Sequence, residues 1–154
     1  MEFAWYITGF VDGEGCFSVS FNLRSRLSVG IEARPSFSVS QNKRNFEILE
    51  IFKEYFGCGA IRFDNSDQTF KYEVRSIEDI IKRVIPHFEK YPLKTSKLND
   101  FNLFKDICDQ VSKNHHLSKD YLPEIINQAY KMNVSGTRKY TKDFLLKQLS
   151  KMNV

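Results

Sequence analysis

Cysteine, histidine and long apolar runs are scarce in this chain, and each shortage excludes a class of protein. The three cysteines include no CxxC pair, and the three histidines have no ligand spacing with them, which argues against a structural zinc site. Free thiols fit a reducing compartment. No stretch reaches the roughly eighteen apolar residues of a membrane span, and residues 1–10 lack the basic start of a secretory signal. We therefore expect a soluble, intracellular protein with no membrane partner.

Linkers, internal repeats and low-complexity segments are also missing. The chain has 154 residues, of which 42% are hydrophobic and 14% aromatic, enough for one hydrophobic core. We therefore predict a single domain over residues 1–154.

The net charge of +4 is modest and unevenly distributed. Residues 127–154 contain six basic residues and a single acid, Asp143. Such a basic arm suits a polyanionic partner, but a solvated helix face is the commoner explanation of such a run. Charge alone therefore favours the solvated face over a nucleic-acid partner.

The hydrophobic pattern alternates between strand and helix periods. Alternating apolar residues predict strands over 17–23, 33–40, 60–64 and 70–75, in two antiparallel hairpins. Helical spacing predicts helices over 7–14, 45–56, 76–85, 96–113, 118–132 and 141–149. Pro35 favours an edge position or a bulge for the second strand, and Gly57 is a helix stop. The predicted class is therefore α+β, in the order αββαββα followed by C-terminal helices.

The most informative segment is the apolar helical run from Ile7 to Gly15, which carries two glycines four residues apart. Gly9 costs a helix roughly 1 kcal/mol relative to alanine, and Gly9 and Gly13 share a face on which a second backbone could come close. Gly15 predicts the helix stop. Glu14 lies at the negative end of the helix dipole, where a bound cation would stabilise it. The alternative is an ordinary solvated glutamate.

This segment resembles the signature motif of the LAGLIDADG homing endonucleases, in which the eighth position is a metal-binding acid. The resemblance implies the αββαββα fold, with an antiparallel sheet that forms a DNA-binding saddle, over essentially the whole chain. It assigns Glu14, where many members have Asp, as a catalytic ligand of Mg²⁺ or Mn²⁺. Because one chain carries one motif, it also implies a homodimer. The residues expected at its interface are Thr8, Gly9, Asp12 and Gly13.

Polar side chains alternate with apolar ones along all four predicted strands. An ordinary solvent-facing sheet has the same pattern, but short hydroxyl groups leave room for a base edge, arginine can bind guanine bidentately, and acids can accept from cytosine. With the resemblance, we expect this face to contact double-stranded DNA. The predicted residues are Ser18, Ser20, Asn22, Arg24, Arg26, Glu32, Arg34, Ser36, Ser38, Ser40, Arg62, Asp64, Lys71, Glu73 and Arg75.

Further polar residues match the family pattern outside the strand faces. Gln41 resembles a residue that positions solvent near the metals, and Lys94, in a Pro-Leu-Lys segment, resembles a lysine near the cleaved phosphate. From the sequence pattern alone, Lys94 would be interpreted as an ordinary loop lysine that precedes a helix. Arg44 or Lys43 could supply charge near the phosphate. The DNA-backbone contacts implied by the resemblance also include Arg44, Arg138 and Lys139.

The resemblance implies a site-specific double-strand DNA endonuclease that hydrolyses phosphodiesters with divalent metal. It would act on a long near-palindromic site and leave short 3′ overhangs. The alternative is a catalytically inactive relative that acts as an RNA maturase or a DNA-binding protein, so intron RNA is a second candidate partner. Fifteen Lys against eight Arg suggest an AT-rich genome, and with the resemblance an intron-encoded protein of an organelle or microbe.

Overall fold

A computed structural model describes residues 1–152 and confirms the α+β order of elements. The helices are α1 (Glu2–Glu14), α2 (Phe46–Phe56), α3 (Ile77–Asp79), α4 (Ile85–Lys90), α5 (Lys97–Ser112), α6 (Leu122–Ala129) and α7 (Lys142–Lys151). The strands are β1 (Gly15–Leu23), β2 (Ile31–Asn42), β3 (Ala60–Asp64) and β4 (Thr69–Val74). Short 3₁₀ turns lie at Lys43–Asn45 and His115–Leu117. The predicted αββαββα order, with helices after it, is therefore present.

The four strands form one sheet in the order β1-β2-β4-β3. β4 is antiparallel to both β2 and β3, with Phe37 opposite Val74 and Ala60 opposite Glu73. Of the two interpretations of Pro35, an edge position or a bulge, the edge position is wrong, because β2 lies between β1 and β4. The pairing of β2 with β4 begins only at Phe37, so Pro35, which has no N–H, lies outside that ladder.

Helix α1 passes directly into β1 at Gly15, and the reason for glycine there differs from the prediction. Gly15 has an extended backbone, with φ −85° and ψ 164°, and not the left-handed conformation of a typical glycine stop. A Cβ atom at this position would lie 2.6 Å from Val11 Cγ1. Glycine is therefore required for close packing against the helix. By contrast, Gly57 ends α2 as predicted, with φ +66°.

The segment around Pro86 does not end the predicted helix. Ser76 accepts a hydrogen bond from the N–H of Asp79 and so caps α3, as its spacing predicted. A π-helical segment, Ile80–Val84, follows, and α4 continues to Lys90 with Pro86 in its first turn. Proline lacks the N–H of a regular helical bond and is tolerated in a first turn, so the chain changes its helical pitch here without stopping.

Contacts divide the chain into two compact units. The first contains residues 1–17 and 36–98, and the second contains residues 18–35 and those from 99 onward. In the first unit the rings of Phe17, Phe37 and Phe88 pack with centroids 5.3 to 5.7 Å apart. In the second, Phe21 stacks on Tyr130 at 6.1 Å. The single domain remains a prediction.

No helix within residues 1–152 has both the length and the apolar character needed to cross a membrane.

Candidate functional site

Glu14 is the last residue of α1, and its carboxylate is exposed. Within residues 1–152 it has neither a hydrogen bond nor an ion pair. Gly9 and Gly13 are also exposed, and a Cβ atom added to either would meet nothing within 4 Å. The part of the chain that the structure describes therefore supplies no backbone that packs on this glycine face. The face ends at an acid with free oxygens.

Aromatic side chains extend this open surface along the same helix. Trp5 and Tyr6 are 41% and 51% exposed. Tyr6 packs against Phe3 and Phe10, with ring centroids 5.9 and 6.2 Å away. Large apolar groups exposed next to one another are typical of an interaction surface.

Thr8 does not lie on that surface, so its side chain offers almost no area to a second copy, and its place at the dimer interface stays a prediction. Thr8 is only 2% exposed. Its hydroxyl donates to the carbonyl of Tyr91 at 2.8 Å and therefore accepts from Nε2 of His87 at 3.0 Å. The other ring nitrogen, Nδ1, then accepts from the Tyr55 hydroxyl at 2.9 Å. Burial lowers the pKa of His87 to about 4, so the ring is neutral at pH 7.

Asp12 is half-buried, and its carboxylate, like the Thr8 hydroxyl, is hydrogen-bonded within its own chain. Its carboxylate accepts from the backbone N–H of Lys94 at 2.8 Å and from the N–H and hydroxyl of Thr95 at 3.2 and 2.7 Å. Burial raises its pKa, but these hydrogen bonds and the charge of Lys97 outweigh that effect, so the pKa is lowered overall. The carboxylate ties the loop of Lys94 to α1, although α1 and this loop are about eighty residues apart.

Lys94 itself is exposed and directs its ammonium group toward the ring of Trp5, 5.8 Å from the centroid. Lys97 lies closer to the motif helix. Its Nζ donates to the carbonyl oxygens of Val11 at 2.9 Å and Gly15 at 2.5 Å, which flank Glu14. The sequence prediction missed this residue, because no local signal distinguishes it from Lys94.

Gln41 lies near the end of β2 and is half-buried. Its Oε1 accepts from the Asn45 side chain at 3.1 Å, which fixes its orientation. Within residues 1–152, no hydrogen bond joins it to Glu14. Arg44 is exposed in the 3₁₀ turn, where Asn42 accepts from its N–H at 3.1 Å.

In the first unit, three of the predicted DNA-facing residues, Ser36, Arg62 and Arg75, contact one acid. Glu73 contacts Arg62 Nη2, lies 2.9 Å from Arg75 Nε and accepts from the Ser36 hydroxyl at 2.6 Å. Ser36 and Ser38 are only 6% and 7% exposed, so they offer far less surface than predicted. The half-buried residues of the predicted set in this unit are Ser40, Asp64, Lys71 and Glu73, and the exposed ones are Arg62 and Arg75.

Asp64 and its neighbours form the turn between β3 and β4. The Asp64 carboxylate accepts from the hydroxyl and N–H of Ser66 at 2.6 and 3.0 Å, and these bonds lower its pKa. This carboxylate therefore stabilises the turn.

In the second unit, Glu32 occupies the equivalent place in the β1–β2 hairpin. Arg24 donates to Glu32 through Nε at 2.9 Å, and Arg34 Nη2 lies 2.6 Å from the other oxygen. The Arg24 hydrogen bond is the main reason that the pKa of Glu32 is lowered. The remaining predicted residues of this set are accessible to different degrees: Ser18 and Asn22 are half-buried, and Ser20 and Arg26 are exposed.

Arg138, predicted as a DNA-backbone contact, makes its hydrogen bonds within its own chain. Its guanidinium donates to the carbonyl oxygens of Val19 at 3.0 Å and Ala129 at 2.5 Å, and it stacks on Tyr130 at 4.4 Å. The side chain is half-buried, and these contacts direct its charge toward the second unit's own backbone. Lys139 remains exposed, with Nζ 5.2 Å from the Tyr140 ring.

Clusters of three or more His, Cys, Asp or Glu side chains that could hold a metal ion are absent from the described part of the chain. Glu14 therefore offers one carboxylate per copy, with the hard oxygen atoms that Mg²⁺ prefers.

Comparison with known proteins gives consistent matches. The LAGLIDADG endonuclease family matches residues 7–108, a range that includes the glycine motif, Glu14, Gln41 and both lysines of the loop. A probable intron-encoded endonuclease of Neurospora crassa is 33% identical over 131 residues, which are 84% of this chain and 24% of that protein. The chain thus spans about a quarter of that relative's length.

Two solved structures match over nearly their full length. The homing endonuclease I-TnaI is 32% identical with a TM-score of 0.83, and the match covers 97% of each chain. An archaeal intron-encoded homing endonuclease, I-Vdi141I, complexed with DNA, is 29% identical with a TM-score of 0.90 over 99% of this chain and 97% of that one. With the motif helix, the four-stranded sheet and these matches together, the chain belongs to the LAGLIDADG endonuclease family.

Proposed function

We propose that this chain is a site-specific DNA endonuclease that acts as a homodimer and hydrolyses a phosphodiester bond in each strand with Mg²⁺ or Mn²⁺. The observation that carries the proposal is the exposed face of α1, where two uncovered glycines lead to Glu14, an acid without a protein partner. The similarity to I-Vdi141I, which was crystallised with DNA, supports double-stranded DNA as the substrate.

The homodimer follows from the glycine face. Glycine inside a helix costs roughly 1 kcal/mol, and nothing within residues 1–152 packs close to Gly9 or Gly13 to recover that loss. A second copy of α1 related by a twofold axis would pack there, since such an interface uses the same surface twice. Two copies would also bring both Glu14 carboxylates together. Like charges at short distance resist ionisation, so the pair favours bound cations.

Glu14 fits a divalent metal by its chemistry and its position. Its oxygens are hard ligands, they are exposed, and the carbonyl end of a helix favours positive charge. When bound, the metal would polarise the phosphate and lower the pKa of the attacking water.

The remaining residues would act on the substrate directly or through α1. Lys97 holds the two carbonyl groups around Glu14 and so positions that acid. Lys94 would place positive charge near the developing negative charge of the phosphate. Gln41, oriented by Asn45, would hold solvent. Asp12 keeps the Lys94 loop against α1.

A dimer of this kind predicts a long near-palindromic target, and the family resemblance suggests cuts that leave short 3′ overhangs. We also propose an intracellular location in an organelle or a microbial cell, by analogy with intron-encoded relatives.

The test is selection of cleaved sequences from a randomised duplex library in Mg²⁺, with Ca²⁺ in a parallel reaction to measure binding. We expect wild-type protein to cut a recovered sequence in Mg²⁺. Glu14→Gln should bind the same duplex and cut it at least a hundredfold more slowly, in the range for loss of a catalytic group. Glu2→Gln, at the other end of the same helix, removes the same charge and should cut normally.

Two results would contradict the proposal. A protein that binds a specific duplex but never cuts it would be an inactive relative, either a DNA-binding protein or an RNA maturase. Equal turnover by Glu14→Gln and wild type would remove Glu14 from the chemistry.

A further inference from the structure

Two acids on the strand faces have a common arrangement, although they lie in different units. Glu73 contacts Arg62 and Arg75, and Glu32 contacts Arg24 and Arg34. In each cluster two guanidinium groups face one carboxylate, so each cluster keeps a net positive charge.

The two acids are much less exposed than the arginines that contact them. The side chains of Glu73 and Glu32 are 9% and 15% exposed, whereas the four arginine side chains are 37% to 51% exposed. A ligand that approaches either cluster therefore meets guanidinium groups first.

Both oxygens of each carboxylate are occupied by the chain itself. In Glu73, Oε1 contacts the two arginines and Oε2 accepts from the Ser36 hydroxyl at 2.6 Å. In Glu32, Oε2 accepts from Arg24, and the buried Oε1 lies 2.6 Å from Arg34 Nη2 in an ionic contact without hydrogen-bond alignment. Each oxygen already faces a donor of its own chain, and the two side chains are only 9% and 15% exposed, so a cytosine amino group would have to compete with those donors.

We infer that Glu32 and Glu73 are specificity-determining positioning residues, which hold arginines for guanine recognition and do not contact bases themselves. The inference rests on the proposed DNA-binding function. Arg24 and Arg75 are held through Nε, which leaves the Nη1 and Nη2 donors for the bidentate contact to guanine O6 and N7. A guanidinium held in place before binding loses less rotamer freedom when the base arrives.

The positions of the residues on the strands explain why Glu32 contacts an arginine of its own strand, whereas Glu73 contacts an arginine of the neighbouring strand. Glu32 and Arg34 are two residues apart on β2, so they share a face. Glu73 lies opposite Ala60, and Arg62, two residues further along β3, reaches it diagonally. Because each acid depends on its own arginines, each can be tested by itself.

The experiment compares bound sequences that wild type, Glu73→Gln and Glu32→Gln select from a randomised duplex library in Ca²⁺. Glutamine keeps the shape of glutamate but holds arginine weakly. We expect each variant to lose about tenfold in preference for guanine at one or two positions, the effect of one bidentate contact. Preferences at all other positions should remain. Arg75→Lys keeps the charge but lacks the two parallel N–H donors of a guanidinium group. It should therefore lose guanine preference at one of the positions affected by Glu73→Gln.

Glu78→Gln is the matched control, because Glu78 forms an ion pair with Lys82 outside the sheet. It removes the same charge and should leave the sequence profile unchanged. Thermal unfolding of all variants identifies any that fail to fold; for Glu73 the alternative variant is Ser36→Ala, which removes the donor to Oε2 and should weaken the same guanine positions.

The outcomes are distinct. If Glu73→Gln and Glu32→Gln select the wild-type profile, or if Arg75→Lys keeps the wild-type preference at every position that Glu73→Gln changes, the inference is overturned. A wild-type protein that selects no sequence would contradict the proposed function instead.

Discussion

The ammonium group of Lys97 lies 2.9 Å from the carbonyl oxygen of Val11, in the last turn of the helix that ends at Glu14. The same ammonium group also donates to the carbonyl oxygen of Gly15, so it binds carbonyl groups that precede and follow Glu14 in the sequence. A cation at a helix C-terminus stabilises the unpaired carbonyl groups there. Lys97 therefore links the start of α5 to the candidate active site.

We expect Lys97→Met to lower the free energy of unfolding by about 1 to 2 kcal/mol, the range for a partly buried cation at a helix end. Cleavage should also slow, because the last turn of α1 would position Glu14 less well. Urea unfolding and single-turnover cleavage measure the two effects. Lys94→Met is the control for stability: Lys94 is exposed, and its replacement should cost less than about 0.5 kcal/mol. Unchanged stability and cleavage in Lys97→Met would refute this role.

Substitutions at Gly9 should separate the dimer from the monomer. In the monomer, Gly9→Ala should stabilise helix α1 by about 0.5 to 1 kcal/mol, because a Cβ atom at this position meets nothing within residues 1–152. Gly9→Leu should force two helices apart and shift sedimentation toward the monomer at equal concentration. If Gly9→Leu remains as dimeric as wild type, the interface lies elsewhere.

His87 should make stability depend on pH. Its pKa is lowered by burial to about 4, whereas in the unfolded chain it is about 6.5. Between these values the unfolded state binds more protons, so this contribution to stability is present above pH 6.5 and is lost as the pH falls toward 4.

The measurement is urea unfolding at pH 7 and pH 4.5. From pH 7 to 4.5, wild type should lose about 2 kcal/mol more than His87→Gln, which cannot titrate there. Carboxylates titrate in both proteins and cancel in the difference. An equal loss in the two proteins would show that His87 is not buried as a neutral ring.

Arg138 and Lys139 are neighbours with opposite expected roles. Arg138→Met should destabilise the protein by about 1 to 3 kcal/mol, because two buried carbonyl groups lose a charged donor. Lys139→Met should leave stability nearly unchanged but reduce the slope of log affinity against log salt by about one, if it contacts a phosphate. Thermal unfolding and salt titrations of DNA binding distinguish the two. The reverse pattern would assign the DNA contact to Arg138.

Local patterns were sufficient for most of the fold. Helical spacing and Gly57 predicted α2, period-two alternation predicted both hairpins, and the glycine motif led to Glu14. Each of these signals lies within one turn or one strand, where backbone geometry depends on neighbouring residues. The helix around Pro86 was predicted too short, because packing can retain a helix through a proline in a first turn.

The sequence by itself determined the family, the order of elements and the acid at the end of α1. Only the tertiary structure decided the partners of polar side chains. Thr8 meets His87 across 79 residues, Lys97 meets Val11 across 86, and Arg138 meets Val19 across 119. Whether a charge faces DNA or its own chain depends on which distant backbone packs beside it. The hydrophobic periodicity of a segment contains no information about such distant contacts.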